Sequence, residues 1–310
     1  MTKLFVYYIG LFCRNPILNL VFNVFHISAP VFLLTAIGFI WVKLGFEYRV
    51  EFVTRLAMTL ALPCLIFVAL MNTDISPNTL RSISLATILS YTCITLASYC
   101  LIKFLKMDIS TYLAPVTFGN TGNLGLPLAY FAFGLEGLGY AVVVFAIMAT
   151  YNFTFGVWII SGGGSLVKAT KEPLVWGTIL GSVFLINDWK TPQFLTSTLD
   201  LIGQMAIPLM LITLGVAIAR LKLKSFSQAF LITLTKFFIC LLTSILVGRY
   251  FELGHIPFSV LLLQLTTPVA VTSYLLATKY NNGPDDIAGL VIISTLLSTI
   301  YIPLTLFFLI

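Results

Sequence analysis

The chain has 310 residues, of which 59% are hydrophobic and 9% charged, against the roughly 25% charged residues of an ordinary soluble domain. That balance excludes a soluble globular protein. The formal charge of +6 lies in short clusters between long apolar runs, which disfavours a nucleic-acid face and suits a chain oriented in a bilayer.

A hydrocarbon core of about 30 Å takes about 20 apolar residues of helix. The chain opens with an apolar stretch, Leu4 to Cys13, cut off by Arg14, Asn15 and Pro16. It is too short to span, and no small-x-small site follows it as a cleaved leader would need, so residues 1–20 read as an interfacial segment. Ten spans are then predicted, at residues 21–42, 50–71, 83–105, 109–134, 138–161, 173–189, 195–219, 226–248, 256–278 and 285–310. Alternation puts Lys3, Arg14, Arg81, Lys190 and Arg249 on the side of both termini. The opposite side collects Lys43, Arg49, Arg55, Lys103, Lys106, Lys168, Lys171, Arg220, Lys222, Lys224 and Lys279, and Lys236 falls inside a span. The positive-inside rule then sets both termini outside the cytoplasm, in a bacterial inner (plasma) membrane.

Weak self-similarity recurs at an offset of about 146 residues. Leu60-Ala61-Leu62-Pro63 matches Met205-Ala206-Ile207-Pro208, and Glu136-Gly137 matches Asn282-Gly283 ahead of similar apolar runs. Residues 21–161 form a first repeat of five spans, 162–172 a cytoplasmic linker and 173–310 a second repeat. An odd number of spans turns the second copy upside down, which predicts a site at the midplane where the copies meet.

The fourth and ninth spans correspond, and both are interrupted. One contains Phe118-Gly119-Asn120-Thr121-Gly122-Asn123-Leu124-Gly125-Leu126-Pro127, the other Gln264-Leu265-Thr266-Thr267-Pro268-Val269-Ala270-Val271-Thr272-Ser273. Proline removes an amide and glycine tolerates unwound backbone. Freed backbone groups cannot face lipid, so such breaks belong where protein or a watery cavity surrounds them, and freed amide ends make an anion cradle.

At these residues the sequence resembles the auxin efflux carrier family, in its compact microbial branch. The likeness covers residues 21–310 and is carried by Ala61-Leu62-Pro63, Gly119-Asn120-Thr121 through Leu128, Pro208-Leu209, Pro268 to Ala277, Lys279-Tyr280-Asn281, Pro284-Asp285 and Ser294 to Ser298. It implies an all-α membrane protein of ten transmembrane helices in two inverted five-helix repeats, with helices 4 and 9 broken and crossing at the midplane. Carried over by position, Asn120 matches the asparagine of the first break and Pro268 the proline of the second. Plant members have a proline where Gly119 stands, and a long hydrophilic loop where only residues 161–172 join the repeats. The microbial branch is associated with malate, malonate and other organic anions. Proton or sodium coupling and pairing into a homodimer are both admitted by the resemblance.

The expected substrate site is Asn120, Thr121, Gly122 and Asn123 from the first break, with Thr267, Pro268, Val271 and Thr272 from the second. Lys236 is an ammonium inside a span, which costs about 2.5 to 3.5 kcal/mol unless paired or hydrated; it can attract an anion or bond a neighbouring helix's carbonyls. Asp200 reads as a helix N-cap or interfacial carboxylate, or as a proton carrier. Asn152 reads as an interhelical bond, and Gln264 keeps a sodium ion bound by neutral oxygens in view. Asp285 and Asp286 suit the N-terminus of the tenth span.

Neither break holds Asp or Glu, which disfavours sodium/proton antiport. The five cysteines have no CxxC spacing, His26 and His255 read as helix-end polar residues, and HExxH and GxSxG are missing. No metal, cofactor or enzymatic activity is expected. The reading is a secondary active or facilitative transporter of small organic anions, such as malate, malonate or auxin-like acids, working by alternating access. A sodium-coupled symporter of related fold is the alternative; a membrane-embedded enzyme or a sensor would leave both breaks unexplained.

Overall fold

The computed structural model describes residues 16–72, 75–161, 173–221 and 226–310. Residues 1–15 of the stretch 1–20 read as interfacial, the linker 162–172 with Lys168 and Lys171, and Lys222 and Lys224 lie outside the described residues, while residues 16–20 of that stretch are continuous with the first helix. What is described is helix with short connections, plus one isolated antiparallel bridge between Gly119 and Val269.

In chain order the helices are α1 (Pro16–Lys43), α2 (Val50–Met71), α3 (Pro77–Phe104), α4 (Ile109–Thr117), α5 (Leu126–Tyr151), α6 (Val157–Ser161), α7 (Pro173–Ile186), α8 (Gln193–Gly203), α9 (Ala206–Arg220), α10 (Phe226–Tyr250), α11 (His255–Leu265), α12 (Val271–Lys279) and α13 (Pro284–Leu309). Wider π-turns occur at Ala57–Ala61 within α2, at Thr121–Gly125 before α5 and at Asn152–Gly156 before α6. By length and composition, seven helical stretches among the described residues are long and apolar enough to cross a membrane. The chain is thus an all-helical, multi-pass membrane protein.

Several details depart from expectation. The predicted sixth span is a helix of 14 residues, α7, and the seventh is interrupted between α8 and α9 ahead of Pro208. The turn expected at 135–137 falls at Gly134, whose φ of 63° suits a residue without a side chain. His26 lies well inside α1 and exposed, while His255 opens α11 as read.

Hydroxyl residues fit these apolar helices because they turn inward on their own backbone. Ser28 donates to Val24 O at 2.8 Å, Thr87 to Ile83 O at 2.7 Å and Thr95 to Tyr91 O at 2.6 Å. Two starts are capped by side chains: Ser76 accepts the Thr79 amide at 3.2 Å, Asp108 the Thr111 amide at 2.7 Å.

The helices pack in two groups. In one, α1 lies along α9, and α2 along α7 and α8. Glycine sets the spacing, since a Cβ on Gly215 would stand 1.8 Å from Thr35 O, one on Gly38 2.0 Å from Ile212 O, and one on Gly177 2.9 Å from Pro63 O. In the other, α3, α4, α5, α10, α11 and α13 pack on one another, with α12 against α13. The groups touch where α1 meets α13, where α1, α2 and α7 meet α5, and where α9 meets the turn at Thr121–Gly125.

Candidate functional site

Pro115 sits in the last turn of α4, and the chain leaves the helix at Phe118 with φ −97° and ψ 126°. The extended stretch ends at Asn120, whose carbonyl accepts the amides of both Leu124 and Gly125 at 3.1 Å. The π-turn at Thr121–Gly125 and then α5 grow from that start. In the second break α11 ends at Leu265, and hydroxyls close its carbonyls: Thr266 donates to Leu262 O at 2.8 Å and Thr267 to Gln264 O at 2.7 Å. The backbone is again extended at Ala270, the N-cap of α12, with φ −69° and ψ 140°.

The two breaks meet. Gly119 and Val269 pair antiparallel, and the Asn120 amide donates to Pro268 O at 2.7 Å. The Val269 amide donates to Ser294 Oγ at 3.0 Å, so α13 completes the joint. The glycines follow from the closeness of the approach. A Cβ on Gly119 would lie 2.2 Å from Thr267 Oγ1, and one on Gly125 2.1 Å from Gln264 Oε1.

Asn120, Thr121, Gly122, Thr267, Pro268 and Val271 are buried in and around this joint; Asn123 and Thr272 are half-buried. Gly122 faces Phe145 of α5 and Met210 of α9, where the first break looks across to the other helix group. Gln264 is wholly buried, and neither atom of its amide has a hydrogen-bond partner among the described residues. The Asn120 side-chain NH2 and the hydroxyls of Thr117 and Thr121 are likewise buried and unpartnered. Buried polar groups are nearly always satisfied, so several orphans at one joint mark it as a place where polarity is held ready for something else. The set combines N–H and O–H groups with the acceptor Gln264 Oε1, and no carboxylate stands among them.

Lys236 is 3% exposed on α10, and its ammonium donates to Val116 O at 3.1 Å, in the last turn of α4. Of the two roles open to it, carbonyl bonding is the one seen. Asn152 is buried at the head of the third π-turn, beside Gly156 and the Phe118 ring rather than in the joint itself. Asp200 is exposed within α8 and accepts from Gln204 Nε2 at 2.8 Å. It is no N-cap, because Pro192 holds that position, and the structure does not bring it to the joint. Asp285 and Asp286 stand in the first turn of α13.

Ser294, Thr117 and Met210 belong to the surroundings of the joint without having been singled out as site residues. For Ser294 a signal existed in the sequence, since the stretch Ser294 to Ser298 is among those that carry the family resemblance. A cavity of about 470 Å³ lies between α3, α5 and α7, walled by Ile88, Tyr91, Thr92, Ile147, Tyr151 and Ile179 among others. Tyr91 and Tyr151 both pack on Phe118, with ring centroids at 6.0 and 5.5 Å. The walls are mostly carbon.

The model of a family described as membrane transport protein matches residues 23–165 and 161–306. An uncharacterized transporter of Methanothermobacter thermautotrophicus is 28% identical over 288 residues, 88% of this chain and 94% of the relative. An uncharacterized transporter of Methanocaldococcus jannaschii is 25% identical over 278 residues, 83% of this chain and 89% of the relative. With the family model spanning both halves and transporters matched nearly end to end, the chain belongs to the auxin efflux carrier family of membrane transport proteins and is a transporter, not an enzyme.

Proposed function

We propose that this protein is a secondary transporter that moves small organic anions, carboxylates such as malate or malonate or auxin-like acids, by alternating access. The observation that carries the reading is the joint between the two breaks, where Asn120, Thr121 and Gln264 hold buried polar atoms without partners. A carboxylate is the natural complement of that set: it accepts only, and amide and hydroxyl donors can replace its lost water. Asn120, Thr121, Gly122 and Asn123 would take it from one side, Thr267, Pro268, Val271 and Thr272 from the other.

Ten spans in two inverted repeats, 21–161 and 173–310, are part of the same reading. Its support is the pairing of helices: α1 runs along α9, and α7, the counterpart of α1, runs along α2, the counterpart of α9. Both repeats also distort a helix just ahead of the matched proline, by a π-turn before Pro63 and by the interruption before Pro208. Alternating access then has a mechanical form, in which the group holding the joint rocks against the α1, α2, α7, α8 and α9 group. Both termini lie outside the plasma membrane in this reading.

The test is flux. Proteoliposomes of purified protein should take up radiolabelled malate or malonate, and Asn120→Ala should abolish uptake while reaching the membrane at wild-type level. Wild-type flux by that variant would overturn the site. Uptake driven by an imposed proton or sodium gradient, each in turn, identifies the coupling.

A further inference from the structure

We infer that Lys236 is a built-in cation that occupies the place a coupling metal cation would need, so that this carrier binds its anion without sodium. The inference deepens the transport reading and rests on it. Where a membrane helix is broken, its carbonyl end carries the negative end of the dipole and leaves acceptors without amide partners, and such ends attract Na⁺ or a proton. Here α4 presents that end at Thr117, and the amide that would have closed the Val116 carbonyl, that of Asn120, is given instead to Pro268 O. The ammonium of Lys236 fills the gap, 3.1 Å from Val116 O.

Two further observations support this placement. The surroundings of the ammonium, Thr233, Cys240, Thr266, Pro268 and Ser294, leave no cavity for a water-sized guest, so a hydrated metal cation has no room beside it. The other carbonyl end, that of α11, is already met by the hydroxyls of Thr266 and Thr267. The charge itself stands directly behind the joint, because Val116 lies two residues before Phe118, where the extended stretch begins, and Pro268 lines both the joint and the space around Lys236. An anion held by Asn120 and Thr121 would therefore be balanced by the protein's own cation.

The experiment uses full-length protein with malonate as probe, in buffers whose metal cation is either Na⁺ or replaced by N-methyl-D-glucamine at equal ionic strength and pH. Wild-type uptake should agree within about twofold between the two; a tenfold fall without Na⁺ overturns the inference. Lys236→Met keeps the size and removes the charge, and its half-saturating malonate concentration should rise at least tenfold. A variant that melts earlier yet keeps wild-type malonate affinity shows a merely structural lysine and also overturns it. If Lys236→Met does not fold, wild type decides alone through its melting temperature without substrate: specific stabilisation by Na⁺ over N-methyl-D-glucamine overturns the inference, and equal values support it. That arm needs no transported acid. A protein inert to every carboxylate would instead defeat the transport reading, and the two failures stay distinguishable.

Discussion

Gly119 and Thr267 define one of the two tightest tolerances at the joint, beside that of Gly125 and Gln264. A methyl group at Gly119 would stand 2.2 Å from the threonine hydroxyl, which is itself tied to Gln264 O. Gly119→Ala should destabilise the protein by roughly 1–3 kcal/mol, the range of overpacking changes, and depress flux. Adding Thr267→Ala removes the struck oxygen and should return part of the lost melting temperature. Asp108 offers a different test at the start of α4. Hydroxyl bonds from Ser110 and Thr111, with the Thr111 amide, hold its carboxyl below the ordinary range. A depressed folded value means a contribution fully present above the unfolded pKa of about 3.9 and lost as pH falls through the folded one. Asp108→Ala should cost about 1 kcal/mol at pH 7, and the gap to wild type should narrow below about pH 4 in a thermal melt. The glycines and asparagines of the first break were visible in the sequence because their backbone demands are local. The partner of Lys236 was not, since a main-chain carbonyl 120 positions away leaves no trace in residue type.

Helices whose apolar runs are long were legible, and α1, α3, α10 and α13 stand close to the predicted spans. The three π-turns were not, because one extra residue per turn is decided by neighbours and not by composition. The N-cap reading of Asp200 fails for a related reason: α8 begins earlier than a helix capped by Asp200 would, and leaves the carboxylate in its interior. The contact of α1 with α9 makes a prediction at this scale. Gly215 stands so close to Thr35 O that a branched side chain must force the helices apart. Gly215→Val should lower the melting temperature and reduce the yield of monodisperse protein, whereas Gly45→Ala, which would meet nothing within 4 Å, should affect packing little although its φ of 85° adds local strain.

For the whole molecule, the charge pattern makes an orientation claim that fusions can test. Alkaline phosphatase joined after Ile310 should be active and a fluorescent protein at the same place dark; the reverse would flip the proposed topology. That the two breaks should meet was expected from the repeat and the resemblance, but the register of the meeting could not be read along the chain, because Gly119 and Val269 are 150 positions apart and nothing local announces their pairing. That seam is sewn with main-chain atoms: Asn120 N to Pro268 O, with Gly119 against Val269. Peptide groups are common to every residue, so the stitching does not depend on which side chains project around it. A lineage can exchange Thr121, Asn123 or Thr272 for residues that greet another cargo without unpicking the thread, and one architecture can thereby serve many solutes.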